Sequence, residues 1–240
     1  GGFYALTSGG RCELVESYDV ETWQRRKEPS MLQPRAWHAV TEHEGNIFAI
    51  GGNNGRRHLR DVEILDLRAD SGWKSCARMT FKRFTPAACS AAGSLYVAGG
   101  YGGQGDVCDR RMHFLDSVEI YNSVKDTWRP GPSLPFPIAR LSLVEARGRI
   151  FAIGGYRDTC PLPSVLSLDP RENHWVVEQS MAMPRSSFSA ALFADCLYAF
   201  GGHNGVSFTN TVELYDLRKG CWRFIRPMPY ARAYMATAPV

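Results

Sequence analysis

Short runs of consecutive apolar residues recur along the chain, and each run ends at a pair of glycines. Four runs are complete, at residues 47–50, 95–98, 150–153 and 197–200. Side chains of a β-strand alternate between its two faces, so a run that is apolar at every position must be covered on both faces. The pattern therefore predicts short strands that lie between other layers of the protein.

The apolar runs belong to a longer repeat. The first glycines of the pairs are Gly1, Gly51, Gly99, Gly154 and Gly201, and 21 to 29 residues later come Trp23, Trp73, Trp128, Trp175 and Trp222. Between glycine pair and tryptophan lies a segment of the type Val-Glu-x-Tyr-Asp, at 15–19, 62–66, 118–122 and 212–216, with a weaker copy at 165–169. A period of about 40 to 50 residues is typical of propellers and solenoids.

Each repeat predicts four short antiparallel strands and no helix. The tryptophan segment ends at a Met or Leu beside proline, and the next unit begins there, which gives approximate units 1–34, 35–82, 83–137, 138–184, 185–231 and a partial 232–240. A sheet that is apolar on both faces is unstable alone, but copies stacked around an axis cover one another. A ring of sheets, or blades, is the expected fold.

The double glycine after an apolar strand, the Tyr-Asp and Trp at their offsets and the Met/Pro-Arg junction together resemble the kelch repeat. The resemblance covers essentially the whole chain and implies an all-β, kelch-type β-propeller of four-stranded antiparallel blades in a single domain, 1–240. Kelch rings are generally closed by a blade built from both chain ends. Five repeats are visible, and we expect either a five-bladed ring or, preferably, a segment of a six-bladed one.

Composition narrows the class of protein. Of the 240 residues 44% are hydrophobic and 22% charged, with 23 glycines and 14 prolines, which fits a folded domain rich in turns. No run approaches the roughly 20 apolar residues of a membrane-spanning helix, and the first residues do not resemble a signal peptide. A net charge of +4 does not by itself indicate nucleic-acid binding, and it leaves acidic partners open.

Cysteine usage favours a reducing compartment. The seven cysteines are odd in number and never fall as C-x-x-C, so neither a disulfide framework nor a zinc cluster is predicted. We therefore expect a cytoplasmic protein without a metal site.

Four arginines occupy one repeat position, just before the strand that opens each unit: Arg35, Arg83, Arg185 and Arg232. Two interpretations stay open. Each arginine can pair with backbone carbonyls or an acidic neighbour at the blade junction. The resemblance implies instead that these residues lie on a partner-binding face around the central channel. In the unit that starts at 138 the position holds Ile138, and Arg140, two residues later, is not assigned to the face.

The loops after the glycine pairs supply the other half of that face. Their candidate residues are Phe3, Asn53, Arg56, Arg57, Tyr101, Tyr156, Arg157, His203 and Asn204. In the Gly99 unit the loop is eight residues longer than in its neighbours, and this insertion, residues 102–116, adds Arg110 and Arg111. Loops on a rigid scaffold are favoured binding sites, although an insertion without function is the alternative. Arginine, tyrosine and asparagine on one rim predict an extended acidic peptide as ligand.

An enzyme is not predicted. The six histidines show neither H-x-H nor H-E-x-x-H spacing, and no nucleophile or paired-carboxylate motif stands out. We assign no catalytic residue and no cofactor. Some kelch-like propellers are enzymes that act on carbohydrates, and such an enzyme is kept as an alternative function.

The predicted function is a protein-binding module. The resemblance implies the substrate-recognition domain of an adaptor for a cullin-based ubiquitin ligase, with the ligase contacted only through BTB and BACK regions, which these 240 residues do not contain. A module that binds actin is the alternative within the same class. Neither nucleic acid nor a membrane is expected as a partner.

Overall fold

The computed structural model describes residues 12–69, 71–104 and 113–237. In these ranges the regular secondary structure consists of β-strands alone. In chain order the strands are β1 (Val15–Tyr18), β2 (Arg25–Glu28), β3 (Ala39–His43), β4 (Asn46–Ile50), β5 (Val62–Asp66), β6 (Trp73–Cys76), β7 (Phe81–Phe84), β8 (Ala87–Ala91), β9 (Ser94–Ala98), β10 (Tyr101–Gln104), β11 (His113–Phe114), β12 (Val118–Asn122), β13 (Thr127–Pro130), β14 (Ser142–Ala146), β15 (Arg149–Ile153), β16 (Tyr156–Arg157), β17 (Cys160–Pro161), β18 (Val165–Leu168), β19 (Trp175–Val177), β20 (Ser189–Phe193), β21 (Cys196–Phe200), β22 (Val212–Asp216) and β23 (Cys221–Ile225). None of the described residues forms a helix that could cross a membrane.

Four sheets contain four antiparallel strands each. Blade B has the order β3-β4-β5-β6, blade C β8-β9-β12-β13, blade D β14-β15-β18-β19 and blade E β20-β21-β22-β23. Strands β1 and β2 form a two-stranded sheet, blade A. The apolar runs before the double glycines fall in β4, β9, β15 and β21, the second strand of each blade. Their neighbours in the sheet and the adjacent blades cover them, as the unbroken apolar pattern requires.

The hydrophobic core consists of layers between successive blades. Phe48 of blade B packs with Leu95 of blade C in one layer, and Phe151 of blade D with Leu197 of blade E in another. Burial of such a side chain contributes about 1.5–3 kcal/mol. The first strands of blades B to E line a central cavity of about 880 Å³. The predicted all-β propeller of four-stranded blades is thereby confirmed.

The tryptophan of each outermost strand ties its blade to the preceding connection. The indole Nε1 of Trp73 donates to the Pro29 carbonyl at 2.9 Å. Equivalent bonds run from Trp128 to Ala77 (2.8 Å), from Trp175 to Pro132 (2.8 Å) and from Trp222 to Gln179 (2.9 Å). These four indole N–H groups are therefore satisfied at the junctions between blades, whereas Trp23 is 79% exposed.

The four double glycines in the described residues are structural turns. Gly51 and Gly52 have φ of 64° and 90°, in the left-handed region that glycine tolerates best. A Cβ on Gly51 would lie 2.6 Å from the Arg83 carbonyl oxygen, and one on Gly52 would lie 2.6 Å from that of Ala36. Only glycine permits both the turn and this close approach of neighbouring backbone, and no helix follows to make a phosphate-binding loop.

A buried ion pair fixes the junction between blades. Arg185 Nε and Nη2 donate to Glu213 Oε1 at 3.2 and 3.0 Å, and Nη1 donates to the Gly201 and Thr211 carbonyls at 2.7 and 3.0 Å. The other oxygen, Glu213 Oε2, accepts from the backbone N–H of Ala182 at 2.7 Å. The pair therefore holds the incoming connection, the double-glycine turn and the third strand together. We call this arrangement the junction clamp.

The same clamp recurs in two other blades. Arg83 pairs with Glu119 and Arg35 with Glu63, and each glutamate again accepts from a backbone N–H of the incoming connection. Arg35, Arg83 and Arg185 have no exposed surface. Their burial corrects the prediction that they present charge to a partner, because a side chain that solvent does not reach cannot contact one. The alternative, pairing at the junction, is the observed state, whereas Arg232 is exposed.

Blade D replaces the clamp with an apolar pair. Ile138 stands at the arginine position, and Leu166 stands where the other blades have the glutamate; both are about 1% exposed and belong to one cluster. One of the two backbone N–H groups that donate to the glutamate in blades C and E is also missing, because Pro135 occupies that position of the connection. No buried charge is thus left over by the exchange.

We expect Arg83→Ile alone to lower the free energy of unfolding by about 3–5 kcal/mol, since it leaves the Glu119 carboxylate buried without its countercharge. Adding Glu119→Leu and Thr80→Pro reproduces the arrangement of blade D and should recover most of that loss. Urea unfolding followed by tryptophan fluorescence measures both. A triple variant less stable than Arg83→Ile would contradict the interpretation.

Candidate functional site

The loops after the double glycines lie together at one end of blades B to E, which we call the loop face. Each loop pairs with the residue that follows the junction position of its own blade. The pairs are Ala36 with Asn53, Phe84 with Tyr101, Ala139 with Tyr156 and Ser186 with His203. This pairing draws the loops towards the central channel.

Five residues at one repeat position surround the opening of the channel on the loop face. These residues, the mouth ring, are Trp37, Thr85, Arg140, Ser187 and Tyr234, and all five have φ between 52° and 57°. The N–H of Thr85 donates to the Trp37 carbonyl at 2.9 Å, and the same bond links the later members in order at 3.2, 3.1 and 2.8 Å. Hydrogen bonds between blades therefore fix the backbone of the opening, which encloses about 760 Å³.

Arg140 carries an unused hydrogen-bond donor in the mouth ring. Its guanidinium carbon lies 5.3 Å from the ring centroid of Tyr156, and Nη1 donates to the Tyr234 hydroxyl at 3.5 Å. Its Nε is buried and has no hydrogen-bond partner. A buried donor without an acceptor costs about 1–3 kcal/mol. Because Nε itself is inaccessible, a ligand oxygen would accept from the terminal nitrogens of this half-buried side chain.

The charge at the opening comes from Arg140 and not from its titratable neighbours. Burial lowers the pKa of His38, which lines the same cavity, to about 3, so its imidazole is neutral at physiological pH. Burial raises the pKa of Tyr101, although the charge of Arg140 opposes the shift, so this hydroxyl stays protonated and can donate. The opening thus combines one cation with neutral donors.

Aromatic rings form an arc beside Arg140 on the loop face. The ring centroids are 5.0 Å apart for Trp37 and Phe84, 6.2 Å for Phe84 and Tyr101, 4.3 Å for Tyr101 and Phe114, 6.3 Å for Phe114 and Tyr156, and 6.4 Å for Phe208 and Tyr234. Rigid aromatic side chains around an arginine are the residue types that carry most binding energy in protein interfaces. The arrangement can bind an anionic or carbonyl oxygen at Arg140 and apolar groups around it.

The predicted site residues divide by exposure. Asn53, Tyr101, Tyr156, His203 and Asn204 are half-buried on the loop face, and Arg56, Arg57, Arg157 and Arg232 are exposed. Phe3, Arg110 and Arg111 lie outside the described residues. The structure thus brings the described loop residues together, while Arg35, Arg83 and Arg185 lie in the junction clamps.

Sequence reasoning missed Arg140 and most of the aromatic arc. Arg140 is two residues out of register with the junction positions of Arg83 and Arg185, so the alignment of the repeats does not assign it to the partner-binding face. The available signal was that Trp37, Thr85, Ser187 and Tyr234 share its repeat position. Residues that vary at a fixed position of a regular repeat are the ones that scaffold packing does not dictate.

Metal chemistry finds no support in the described residues. No cluster of three or more His, Cys, Asp or Glu side chains there could hold a metal ion. The six cysteines of the described ranges are free thiols.

Comparisons with known proteins agree with the fold. The Kelch motif matches residues 34–80, 82–135, 137–182 and 184–229. The chain is 29% identical over 227 residues to Kelch repeat and BTB domain-containing protein 12 of Danio rerio, covering 80% of this chain and 36% of the relative. Against the protein of that name from Homo sapiens it is 30% identical over 199 residues, covering 75% and 32%. The chain therefore spans about a third of the length of these relatives.

A solved structure has the same fold at low sequence identity. The chain titled "Structure of YjhT" superimposes with a TM-score of 0.80 over 93% of this chain and 80% of the other, at 15% identity.

The mouth ring stores backbone strain that one substitution should release. Thr85 is β-branched and has φ of 53°, a conformation that costs a non-glycine residue about 1–2 kcal/mol. Thr85→Gly removes that strain against an entropic cost of about 0.5–1 kcal/mol, so we expect unchanged or slightly raised stability in urea unfolding. Thr127→Gly, in strand β13, is the matched control and should destabilise. Equal losses for the two variants would contradict a strained ring.

Proposed function

We propose that this chain, which belongs to the kelch-repeat family, is a protein-interaction module. It captures a partner protein on the loop face, and the partner's contact segment lies over the mouth ring. The relatives named above are kelch-repeat proteins whose names also include a BTB domain. We further propose a cytoplasmic setting in which the domain recognises substrates for a cullin-based ubiquitin ligase adaptor. In that setting the ligase is contacted through a BTB region and not through the propeller.

The observation that carries the proposal is the half-buried guanidinium of Arg140, which lies beside the aromatic arc at the opening of the channel. The junction clamps use their arginines internally, so those charges are unavailable to a partner. Arg140 is different, because its side chain is only half-buried and lines the opening of the channel. An acidic side chain of a partner would pair with it in a water-poor site, where charge-assisted hydrogen bonds are strong.

Two other functions remain as alternatives, and each has a test of its own. An actin-binding module would co-sediment with actin filaments, and a carbohydrate-active propeller would turn over a glycan library. No feature of the loop face favours either over capture of a protein segment.

Arg140→Gln should weaken binding of peptides selected from a random displayed library by about tenfold or more, because it removes the guanidinium charge from the opening. Arg140→Lys should be intermediate, since it keeps the charge without the guanidinium geometry. Fluorescence anisotropy measures the affinities, and binding should also fall as salt rises.

The matched control is Arg147→Gln. Arg147 lies in the turn between β14 and β15, at the opposite end of blade D, and pairs with Asp195 at 3.0 Å. Peptide binding should be unaffected by this change. Peptides that bind the Arg140→Gln variant as tightly as the parent, or that are lost only with Arg147→Gln, would refute the proposed face.

A further inference from the structure

Two loops on the loop face have the same backbone conformation, but one has basic side chains at its tip and the other has apolar ones. They are residues 53–58 of blade B and residues 203–208 of blade E. In loop 53–58, Asn54 Oδ1 accepts from the N–H groups of Arg56 and Arg57, both at 3.0 Å, and Asn54 N–H donates to the Arg57 carbonyl at 3.2 Å. The bonds of this turn therefore come from the asparagine and the backbone, and not from the arginine side chains.

Loop 203–208 repeats this turn bond for bond. Asn204 Oδ1 accepts from the N–H groups of Val206 and Ser207 at 3.0 and 2.9 Å, and Asn204 N–H donates to the Ser207 carbonyl at 3.2 Å. The glycine that follows the asparagine has φ of 97° in the first loop and 102° in the second. The two residues at each tip can therefore differ without changing the fold of the loop.

The tip of loop 53–58 is basic. Arg56 and Arg57 are exposed, and the nearby carboxylate, Asp61, is shared, because Arg57 Nη2 lies 3.5 Å and Arg78 Nε 2.9 Å from its oxygens. Burial and the charge of Lys82 both lower the pKa of His58, the last residue of the loop. The loop thus carries more positive than negative charge, which suits carboxylates.

The tip of loop 203–208 is apolar. Val206 is 90% and Phe208 54% exposed, and the Phe208 ring lies 6.4 Å from that of Tyr234 in the mouth ring. Exposed apolar groups continuous with a concave opening are typical of protein-binding surfaces. The first strands of blades B and E line the same channel, with blades C and D between them along the chain. A segment that passes over the mouth ring can therefore meet a basic loop on one side and an apolar loop on another.

We propose that these two loops set the direction in which a partner segment binds: an extended peptide places acidic residues over Arg56 and Arg57 and a bulky apolar residue against Val206 and Phe208. This inference rests on the proposed function, since it assumes that a segment lies across the mouth ring. It adds the polarity of the segment and the chemistry of its two ends.

The shared backbone permits an exchange experiment. One variant carries Arg56→Val and Arg57→Ser, a second carries Val206→Arg and Ser207→Arg, and a third carries all four changes. Because Asn54, Asn204 and the loop glycines are retained, all three variants should fold, which circular dichroism and thermal unfolding check. The third variant keeps the composition of the parent and is the matched control for net charge.

The probes are synthetic peptides with three glutamates at one end, a Gly-Ser spacer and Leu-Phe-Leu with a benzophenone group at the other. Spacers of two lengths allow for the unknown span. We expect the first variant to bind these probes about tenfold more weakly, with a smaller dependence on salt. In the parent, photo-crosslinks should map to loop 203–208. In the four-change variant a part of the crosslinks should move to loop 53–58, while Phe208 retains the rest.

The outcomes separate this inference from the proposed function. Three results would each overturn the directional model. The probes bind the first variant as tightly as the parent, the crosslinks do not move in the four-change variant, or the probes fail to bind the parent. If library-selected peptides still depend on Arg140 in those cases, the proposed function stands. If they do not, both fail.

Discussion

The junction clamp is the constraint on which the rest of the molecule depends. A guanidinium with no exposed surface needs a countercharge and hydrogen-bond acceptors inside the protein, and Arg185 has them in Glu213 and two backbone carbonyls. The glutamate in turn holds the connection from the preceding blade. Each clamp thus positions a double-glycine turn, and with it a loop of the loop face.

Blade D shows that the junction requires satisfied groups and not charge as such. Ile138, Leu166 and Pro135 replace the arginine, the glutamate and one N–H donor together, so no charge is left unpaired in the core. Replacement of a buried ion pair by packed apolar residues is often neutral or stabilising. In the same unit Arg140 occupies the mouth ring, where Thr85 and Ser187 stand in the neighbouring blades. The charge of this unit lies at the opening of the channel instead of inside the junction.

The scaffold could be predicted from the sequence because every blade repeats the same packing problem, and the glycines, tryptophans and apolar runs recur with it. The fate of the arginines could not be predicted from position alone. Arg185 lies 28 residues before Glu213, and only the folded blade brings them together. One signal of the pairing is present in the sequence. The unit that has Ile138 instead of the arginine also has Leu166 instead of the glutamate of the Val-Glu-x-Tyr-Asp segment. The aromatic arc could not be predicted, because Trp37, Phe84 and Phe208 stand at different positions of the repeat and no aromatic residue recurs at those positions in every unit.

The atoms that fix the conformation of the loops differ from the atoms that a partner can contact. In residues 53–58 and 203–208 the fold uses backbone groups and one asparagine, which leaves the tip side chains unconstrained by the turn. In the mouth ring, likewise, hydrogen bonds run from backbone to backbone, and the side chains range from Trp37 to Ser187. A change of recognition therefore needs no change of scaffold. The positions where a partner's chemistry can be read are those whose side chains the repeat does not use, and Arg140, Arg56 and Val206 are of this kind.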